Sequence, residues 1–166
     1  MIKSSLSRKP LTNTKWLLDI ARECDIKVIQ SPFILDKTEK EKYREIPFPP
    51  KLFDQFTAGT WRAEYTEGIF DPSDLVVTGR TGFDNTKGSN LRELLTRNGI
   101  RKIYFIGFTT DHCVAETMET LSAEGYECIF ISDCTAARNK KLQEKIESKY
   151  KNIVSKQAVS EIRENR

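Results

Sequence analysis

The chain has 166 residues, a net charge of +3 from 27 Lys and Arg against 24 Asp and Glu, and a mean hydropathy of −0.52. A chain of this length is expected to fold as a single domain, residues 1–166, that is large enough to form a buried core. The basic residues are dispersed, and no apolar run approaches the roughly 18 residues of a membrane helix, so we expect neither a nucleic-acid nor a membrane partner.

The four cysteines have neither zinc-ligand spacing nor a secretory signal beside them, which is typical of reduced thiols in the cytoplasm. They are Cys24, Cys113, Cys128 and Cys134. Residues 1–18 carry no acid and several Ser, Lys and Arg, a pattern that is faintly similar to a mitochondrial transit peptide. We therefore predict a cytoplasmic protein, with the mitochondrion as the alternative.

The N-terminal part of the chain is predicted to form a loose segment, a helix and a strand. Residues 1–13 are polar and are expected to be loose. From Thr14 onward, apolar residues recur at helical spacing until Cys24. A strand follows at Ile26–Ile29. The next stretch, residues 33–51, is a charged excursion whose KTEKEKYRE segment is predicted to be a solvated helix face.

The rest of the chain alternates between short apolar runs and helical patterns. In order, we predict a strand at Leu75–Val77, a polar loop at 79–90, a helix at Leu91–Asn98, a strand at Ile103–Ile106, a helix ending at Gly125, a strand at Cys128–Ile131, a helix within 139–151, a short strand at Asn152–Ser155 and a helix at Ala158–Glu164. This alternation predicts an α/β fold, a doubly wound three-layer sandwich around a mostly parallel sheet.

Cys113 is the candidate functional residue of the central stretch 101–138. It lies just beyond the carboxyl end of a predicted strand, in the first turn of the following helix. The positive end of a helix dipole favours a thiolate, and the free N–H groups there can hold an oxyanion. The spacing alone fits equally well with a half-buried cysteine that fills a gap between helix and sheet.

The motifs G-F-T-T-D-H-C-V-A-E-T and G-Y-E-C-I-F-I-S-D-C-T-A-A resemble the signature of the isochorismatase-like cysteine hydrolases. That family includes nicotinamidases, N-carbamoyl amidases, and ureidoacrylate and biuret hydrolases. The resemblance implies that Cys113 is the nucleophile and that the Phe108–Thr109 peptide is cis. An oxyanion would then be held by the backbone N–H groups of Thr109 and Cys113.

The chain departs from the family at the other two catalytic positions, an Asp and a Lys. The Asp normally ends a first strand of the form apolar-apolar-apolar-D-x-Q, and no such strand precedes the helix at Thr14. The Lys lies in a G-K-x-G stretch, which here is G-R-T-G, so that Arg80 takes its place. Arginine keeps the charge but cannot become neutral. Lys87 is most simply a solvated loop residue.

No metal and no cofactor are implied. The nicotinamidase metal set is an Asp with two His, and His112 is the only histidine of the chain. A Cys113–His112 dyad is disfavoured because adjacent helical residues point in different directions. His112 fits a turn residue or a pocket wall, and Trp61 fits a core residue better than a ligand wall. Under the hydrolase hypothesis, Trp61, Phe108 and His112 shape the substrate pocket.

These observations leave three interpretations. The leading one is a metal-free cysteine hydrolase of a small amide or ureido compound, which uses Cys113 and Arg80 and is impaired because a carboxylate is missing. The second is a pseudoenzyme of the same fold that binds a small molecule or a partner chain. The third is a truncated product whose full-length form carries the Asp. Without the first strand, neighbouring strands keep unpaired edges, which predicts a homo-oligomer.

Overall fold

The computed structural model describes residues 8–43, 46 and 56–164. The helices are α1 (Arg8–Glu23), α2 (Leu91–Arg97), α3 (Ala115–Ala123), α4 (Lys140–Lys149) and α5 (Ser155–Glu164). The strands are β1 (Ile29–Gln30), β2 (Leu75–Val76), β3 (Lys102–Phe108), β4 (Glu127–Ala136) and β5 (Asn152–Ile153). Short 3₁₀ segments cover Lys37–Tyr43 and Trp61–Ala63, and a π-helical turn covers Thr110–Val114. The predicted order of helices and strands is confirmed.

The two faces of β4 define the three layers. Ile129 and Ile131 point to one face and pack with α1 and α5, whereas Phe130 points to the other and packs with α2 and α3. All three side chains are completely buried. Because side chains alternate along a strand, one apolar run serves both layers of helices. The predicted α/β sandwich is confirmed.

Every strand pair is parallel, and the pairs fall into two sections. One section joins β1 to β2, and the other has the order β3-β4-β5. Within the described part of the chain, β1 and β3 form no strand pair. Both nevertheless contribute to one apolar cluster, since Ile29 of β1 and Ile103 of β3 pack against the cluster that contains Phe105. The sheet is therefore interrupted between β1 and β3.

Helix α1 begins at Arg8, so residues 8–13 are helical, contrary to the predicted loose segment; residues 1–7 lie outside the described residues. The polar side chains of this part bind the end of β4. Asn13 donates its amide to the carbonyl and a carboxylate oxygen of Asp133, both at 3.1 Å, and Thr14 Oγ1 donates to the Cys134 carbonyl at 3.3 Å. Pro10 lies in the first turn, where proline is tolerated.

Asp133 also receives the first residue of α5. Its carboxylate accepts the Ser155 N–H and the Ser155 hydroxyl, both at 2.7 Å. Ser155 is 2% exposed. One carboxylate at the end of β4 thus fixes both α1 and the N-terminus of α5, the two helices on the same face of the sheet.

Asp74 joins α1, β1 and β2 on another side of the molecule. Arg22 donates from Nε and Nη2 to its two carboxylate oxygens at 3.0 and 2.7 Å, and Gln30 donates to Oδ2 at 2.8 Å. Burial opposes ionisation, but the hydrogen bonds from Arg22 and Gln30 prevail and hold the pKa of Asp74 below its usual value. A planar guanidinium that binds a carboxylate through two donors gives a fixed geometry as well as a charge interaction.

The strands differ most from their predicted limits in β1, which shares only Ile29 with the predicted Ile26–Ile29, and in β4, which continues to Ala136. Beyond an irregularity in register, Gly107 pairs with Thr135 and Phe108 pairs with Ala136. These residues are polar or small, so no apolar run marks them as a strand. In the charged excursion, residues 37–42 are exposed, but Tyr43 is 7% exposed and packs with Leu35 and Ile46. No helix in the described part of the chain is long and apolar enough to cross a membrane.

Candidate active site around Cys113

Cys113 lies in the π-helical turn that connects β3 to α3. The Phe108–Thr109 peptide before this turn is cis, which confirms the prediction. The Thr109 carbonyl accepts the N–H groups of His112 at 3.2 Å and Val114 at 3.5 Å. The turn is π-helical rather than the expected first turn of an α-helix. It presents a half-buried Cys113 at the carboxyl edge of the parallel sheet, where ligands of such folds bind.

Arg80 is a buried cation whose guanidinium is fixed by three backbone carbonyls. Its Nε, Nη1 and Nη2 atoms donate to Gly82, Ser31 and Phe83 respectively, each at 2.8 Å. Its Cζ lies 4.8 Å from the centre of the Phe33 ring. The side chain is therefore held at one position, and the residue is only 6% exposed.

The thiol of Cys113 interacts with this fixed cation. Burial lowers the pKa of Arg80, while the charge and hydrogen-bonding contributions of Cys113 act in the opposite direction. The buried guanidinium thus places a fixed positive charge beside the sulfur atom. The structure thus brings together Cys113 and Arg80, the two side chains that the sequence analysis named as catalytic.

The loop between β2 and α2 is docked onto α3 by threonine hydroxyls. Thr120 Oγ1 donates to Asp84 Oδ2 at 2.7 Å, and the Asn85 N–H donates to Thr117 Oγ1 at 2.9 Å. Thr117 in turn donates its hydroxyl to the Cys113 carbonyl at 2.6 Å. The threonine of the C-V-x-x-T motif therefore connects the turn that carries Cys113 to the loop that carries Arg80.

Two glycines allow this loop to close on itself. Gly79 has a φ of +78°, and a Cβ at that position would lie 2.7 Å from the Gly88 carbonyl oxygen. The Thr81 N–H donates to the Lys87 carbonyl at 3.0 Å inside the same loop. A side chain at residue 79 would be both strained and obstructed, so glycine is required there.

A pocket of about 160 Å³ opens beside this loop. It is lined by Ile46, Thr81, Gly82, Phe83, Lys87, His112 and Glu116. The His112 ring stacks on Phe83 at 4.8 Å between ring centres, and its Nδ1 lies 3.5 Å from Glu116 Oε1. The pocket therefore combines an aromatic wall with three side chains that can carry charge.

Of the predicted site residues, His112 alone lines this pocket, and the lining does not include Trp61, Phe108, Thr109, Cys113 or Arg80. Trp61 is 75% exposed in a short 3₁₀ turn, and Phe108 is 47% exposed at the end of β3. A contact of Trp61, Phe108 or His112 with a substrate stays a prediction.

Two of the other thiols have environments that oppose ionisation, and the third lies in another part of the fold. Burial, with the Asp133 carboxylate, raises the pKa of Cys134 to about 12. Burial also raises the pKa of Cys128. Cys24 lies beyond the end of α1 and packs at the edge of the cluster between α1 and β4. All four thiols are free.

Glu116 and Asp84 are two acidic residues that the sequence analysis did not include in the site. Both interact electrostatically with Arg80, as Cys113 does. Glu116 could have been identified, because it follows Cys113 by three residues and such pairs share one helix face. Asp84 carries no comparable signal, since its position depends on the conformation of a loop. Among the described residues, no group of three or more His, Cys, Asp or Glu is arranged to hold a metal ion.

Comparisons with known proteins agree with this geometry. The profile of the isochorismatase domain matches residues 3–158. A curated relative, the uncharacterized isochorismatase family protein YrdC of Bacillus subtilis (strain 168), is 37% identical over 70 residues, which are 42% of this chain and 37% of that protein. The chain thus matches less than two thirds of that relative's length.

Solved structures share the fold at low sequence identity. A cysteine hydrolase from Pseudomonas syringae pv. phaseolicola 1448A has a TM-score of 0.86 at 14% identity, over 98% of this chain and 84% of its own. N-carbamoylsarcosine amidase from Thermoplasma acidophilum has a TM-score of 0.77 at 18% identity, over 93% and 83%. Nicotinamidase PncA from Bacillus subtilis has a TM-score of 0.76 at 17% identity, over 90% and 86%.

Proposed function

The chain belongs to the isochorismatase family, and from this premise we propose that it is a metal-free cysteine hydrolase that cleaves a C–N bond of a small amide or ureido compound. Cys113 is the nucleophile and Arg80 stabilises its thiolate. The observation that carries the proposal is the buried guanidinium of Arg80, which three carbonyls hold beside the Cys113 thiol.

The reaction proceeds through a covalent intermediate. The Cys113 thiolate attacks the substrate carbonyl carbon, and the oxyanion is held by the backbone N–H groups of Thr109 and Cys113. The C–N bond then breaks, which releases an amine and leaves an acyl- or carbamoyl-enzyme. Water attacks this thioester, the C–S bond breaks, and the acid product leaves while the thiol is restored.

The substrate class is supported by the related structures and by the pocket. N-carbamoylsarcosine amidase and nicotinamidase are both named for amide or ureido substrates. The pocket next to the Arg80 loop is small, at about 160 Å³, and its walls combine apolar surface with three ionisable side chains, which suits a small molecule better than a polymer.

Arg80 supplies charge but cannot shuttle a proton. All three of its nitrogen positions are engaged by carbonyls, and guanidinium does not lose its proton in proteins. Proton transfer therefore needs another group, and without one we expect slow turnover.

The second candidate is a binding module of the same fold without turnover. It is favoured by the interruption of the sheet between β1 and β3 in the described part of the chain. The position of Arg80 depends on β1, because its guanidinium donates a hydrogen bond to the carbonyl of Ser31, immediately after that strand. Any shift of β1 relative to β3 would move the guanidinium away from Cys113.

A panel of small amides and N-carbamoyl compounds, assayed for ammonia release, separates the two candidates. The hydrolase predicts turnover that is lost in Cys113→Ala and kept in Cys128→Ala, a matched removal of a second half-buried thiol. Ligand binding in a thermal-shift assay without ammonia release, equal in wild type and Cys113→Ala, would instead identify a binding module.

A further inference from the structure

Among the described residues, three carboxylates lie close to Cys113 or in its turn. They differ in the hydrogen bonds that their oxygens accept. Asp84 accepts the Thr86 N–H at 2.8 Å, the Thr86 hydroxyl at 2.7 Å and the Thr120 hydroxyl at 2.7 Å. The side chain of Asp111 is 5% exposed and accepts Arg138 Nε at 2.6 Å. The oxygens of Asp84 are thus engaged by three donors. Burial opposes the ionisation of Asp111, but the hydrogen bond from Arg138 holds the pKa of that carboxyl below its usual value.

Glu116 is placed differently. Its side chain is 43% exposed and lines the pocket, and its Oε1 lies 3.5 Å from His112 Nδ1. It follows Cys113 by three residues, and the backbone is helical at Val114 and Ala115 between them. Side chains at this spacing are neighbours, with Cβ atoms about 5–6 Å apart.

We infer that Glu116 is the proton partner of Cys113, a further catalytic residue of the hydrolase proposed above. The Glu116 carboxylate accepts the proton of the Cys113 thiol, which leaves the thiolate that attacks the carbonyl carbon. It gives that proton to the leaving nitrogen when the C–N bond breaks. It then accepts a proton from the attacking water, and returns it to sulfur when the C–S bond breaks, so that amide and water become acid and amine.

The charged groups that face Glu116 fit this role. His112 contacts it from the turn, Lys87 lines the same pocket from the loop, and Arg80 interacts with both Glu116 and Cys113. His112 orients the carboxylate and is therefore a positioning residue.

The inference can be tested without turnover, through the alkylation rate of Cys113 as a function of pH. Glu116→Gln removes a negative charge that opposes the thiolate, so we expect alkylation by iodoacetamide below the midpoint to become about threefold faster or more. The control is Glu119→Gln on the same helix, whose side chain is 70% exposed and lies 3.4 Å from Lys149. Its curve should match that of wild type.

Turnover should move in the opposite direction. Glu116→Gln is expected to lower kcat/KM by about 10²–10⁴-fold, the usual contribution of a general base, and to remove the acidic limb of the pH profile. Glu116→Asp should restore part of the rate, and Glu119→Gln should keep it. A thiol that alkylates faster in an enzyme that hydrolyses more slowly is not expected from a purely structural role, which would impair both.

Coincident alkylation curves for wild type and Glu116→Gln would overturn the inference, as would an unchanged kcat/KM in an active enzyme. If wild type hydrolyses no compound of the panel but the alkylation curve shifts in Glu116→Gln, the coupling between Glu116 and the Cys113 thiol still stands. In that case the proposed hydrolase function fails, and the proton coupling does not.

Discussion

The Arg80 guanidinium crosses from the loop after β2 to the Ser31 carbonyl after β1, where its Nη1 donates at 2.8 Å. Ser31 and Arg80 are 49 residues apart in sequence, yet this bond sets the position of the cation beside Cys113. The two-stranded section of the sheet thereby controls a group that acts on a residue of the three-stranded section.

Replacement of Arg80 by lysine is expected to reduce both stability and activity. A lysine ammonium cannot reach three divergent carbonyls in one plane, and buried acceptors that lose their donors cost about 1–3 kcal/mol each. Urea denaturation should show a lower free energy of unfolding for Arg80→Lys, with the exposed Arg97→Lys as the control. Wild-type stability together with raised turnover would mean that the three carbonyl contacts are not formed.

Cys113 is expected to be the first thiol to react in the folded protein. Burial raises the pKa of Cys134 to about 12 and also raises that of Cys128, whereas Cys113 lies beside Arg80. Brief alkylation with limiting reagent, followed by peptide mapping, measures the order. Faster labelling of Cys24, Cys128 or Cys134 than of Cys113 would contradict the assignment of the nucleophile.

Asp74 is expected to make stability depend on pH in the acidic range. Burial works against its charge, but the bonds from Arg22 and Gln30 hold its folded-state pKa below the unfolded value. Its contribution is therefore complete above the unfolded pKa, about 3.9, and is lost as the pH falls through the folded pKa.

Asp74→Asn should accordingly lower the free energy of unfolding by about 1–3 kcal/mol at pH 7, and the deficit should shrink toward pH 3. Urea titrations at several pH values provide the measurement. Asp19→Asn, whose side chain is 65% exposed and lies 3.7 Å from Arg22, is the matched control. A deficit that stays constant with pH would show that the Arg22–Asp74 pair is not the cause.

The interrupted sheet predicts association of the chain with itself. Strands β1 and β3 each have a single partner in the described residues, and unpaired strand edges promote pairing with other chains. Sedimentation velocity across the micromolar range should therefore reveal a dimer or a larger assembly. A single monomeric species at every concentration would refute this prediction.

Removal of metal ions by a chelator is expected to leave the hydrolytic activity unchanged. The chain has one histidine, which contacts Glu116 and stacks on Phe83, so a site with two histidine ligands cannot form. Turnover should be the same before and after prolonged dialysis against EDTA. Loss of activity that zinc or iron restores would refute the metal-free assignment.

The sequence was sufficient for features that depend on neighbouring residues. The runs at 103–106 and 128–131 predicted the buried strands, and the resemblance to the family predicted the cis peptide at Phe108–Thr109. Both are local, because strand burial and motif identity are encoded in a few adjacent positions.

The features that sequence could not supply depend on distant partners. Residues 8–13 are polar and look loose until Asn13 is seen to bind Asp133. Thr135 and Ala136 extend β4 only because Gly107 and Phe108 lie opposite them. The pocket beside Glu116 is built from a loop whose shape no periodicity predicts.

The Asp133 carboxylate has a consequence for how the chain folds during synthesis. Asn13 and Asp133 are separated by 120 positions. Helix α1 therefore leaves the ribosome long before Asp133, to which it is hydrogen-bonded, and before Ser155, which binds the same carboxylate. Contacts of such long range slow folding, because a large loop must close before they form. We therefore expect nascent chains stalled before residue 133 to expose the apolar face of α1 to chaperones and proteases, and to become resistant only after α5 has emerged.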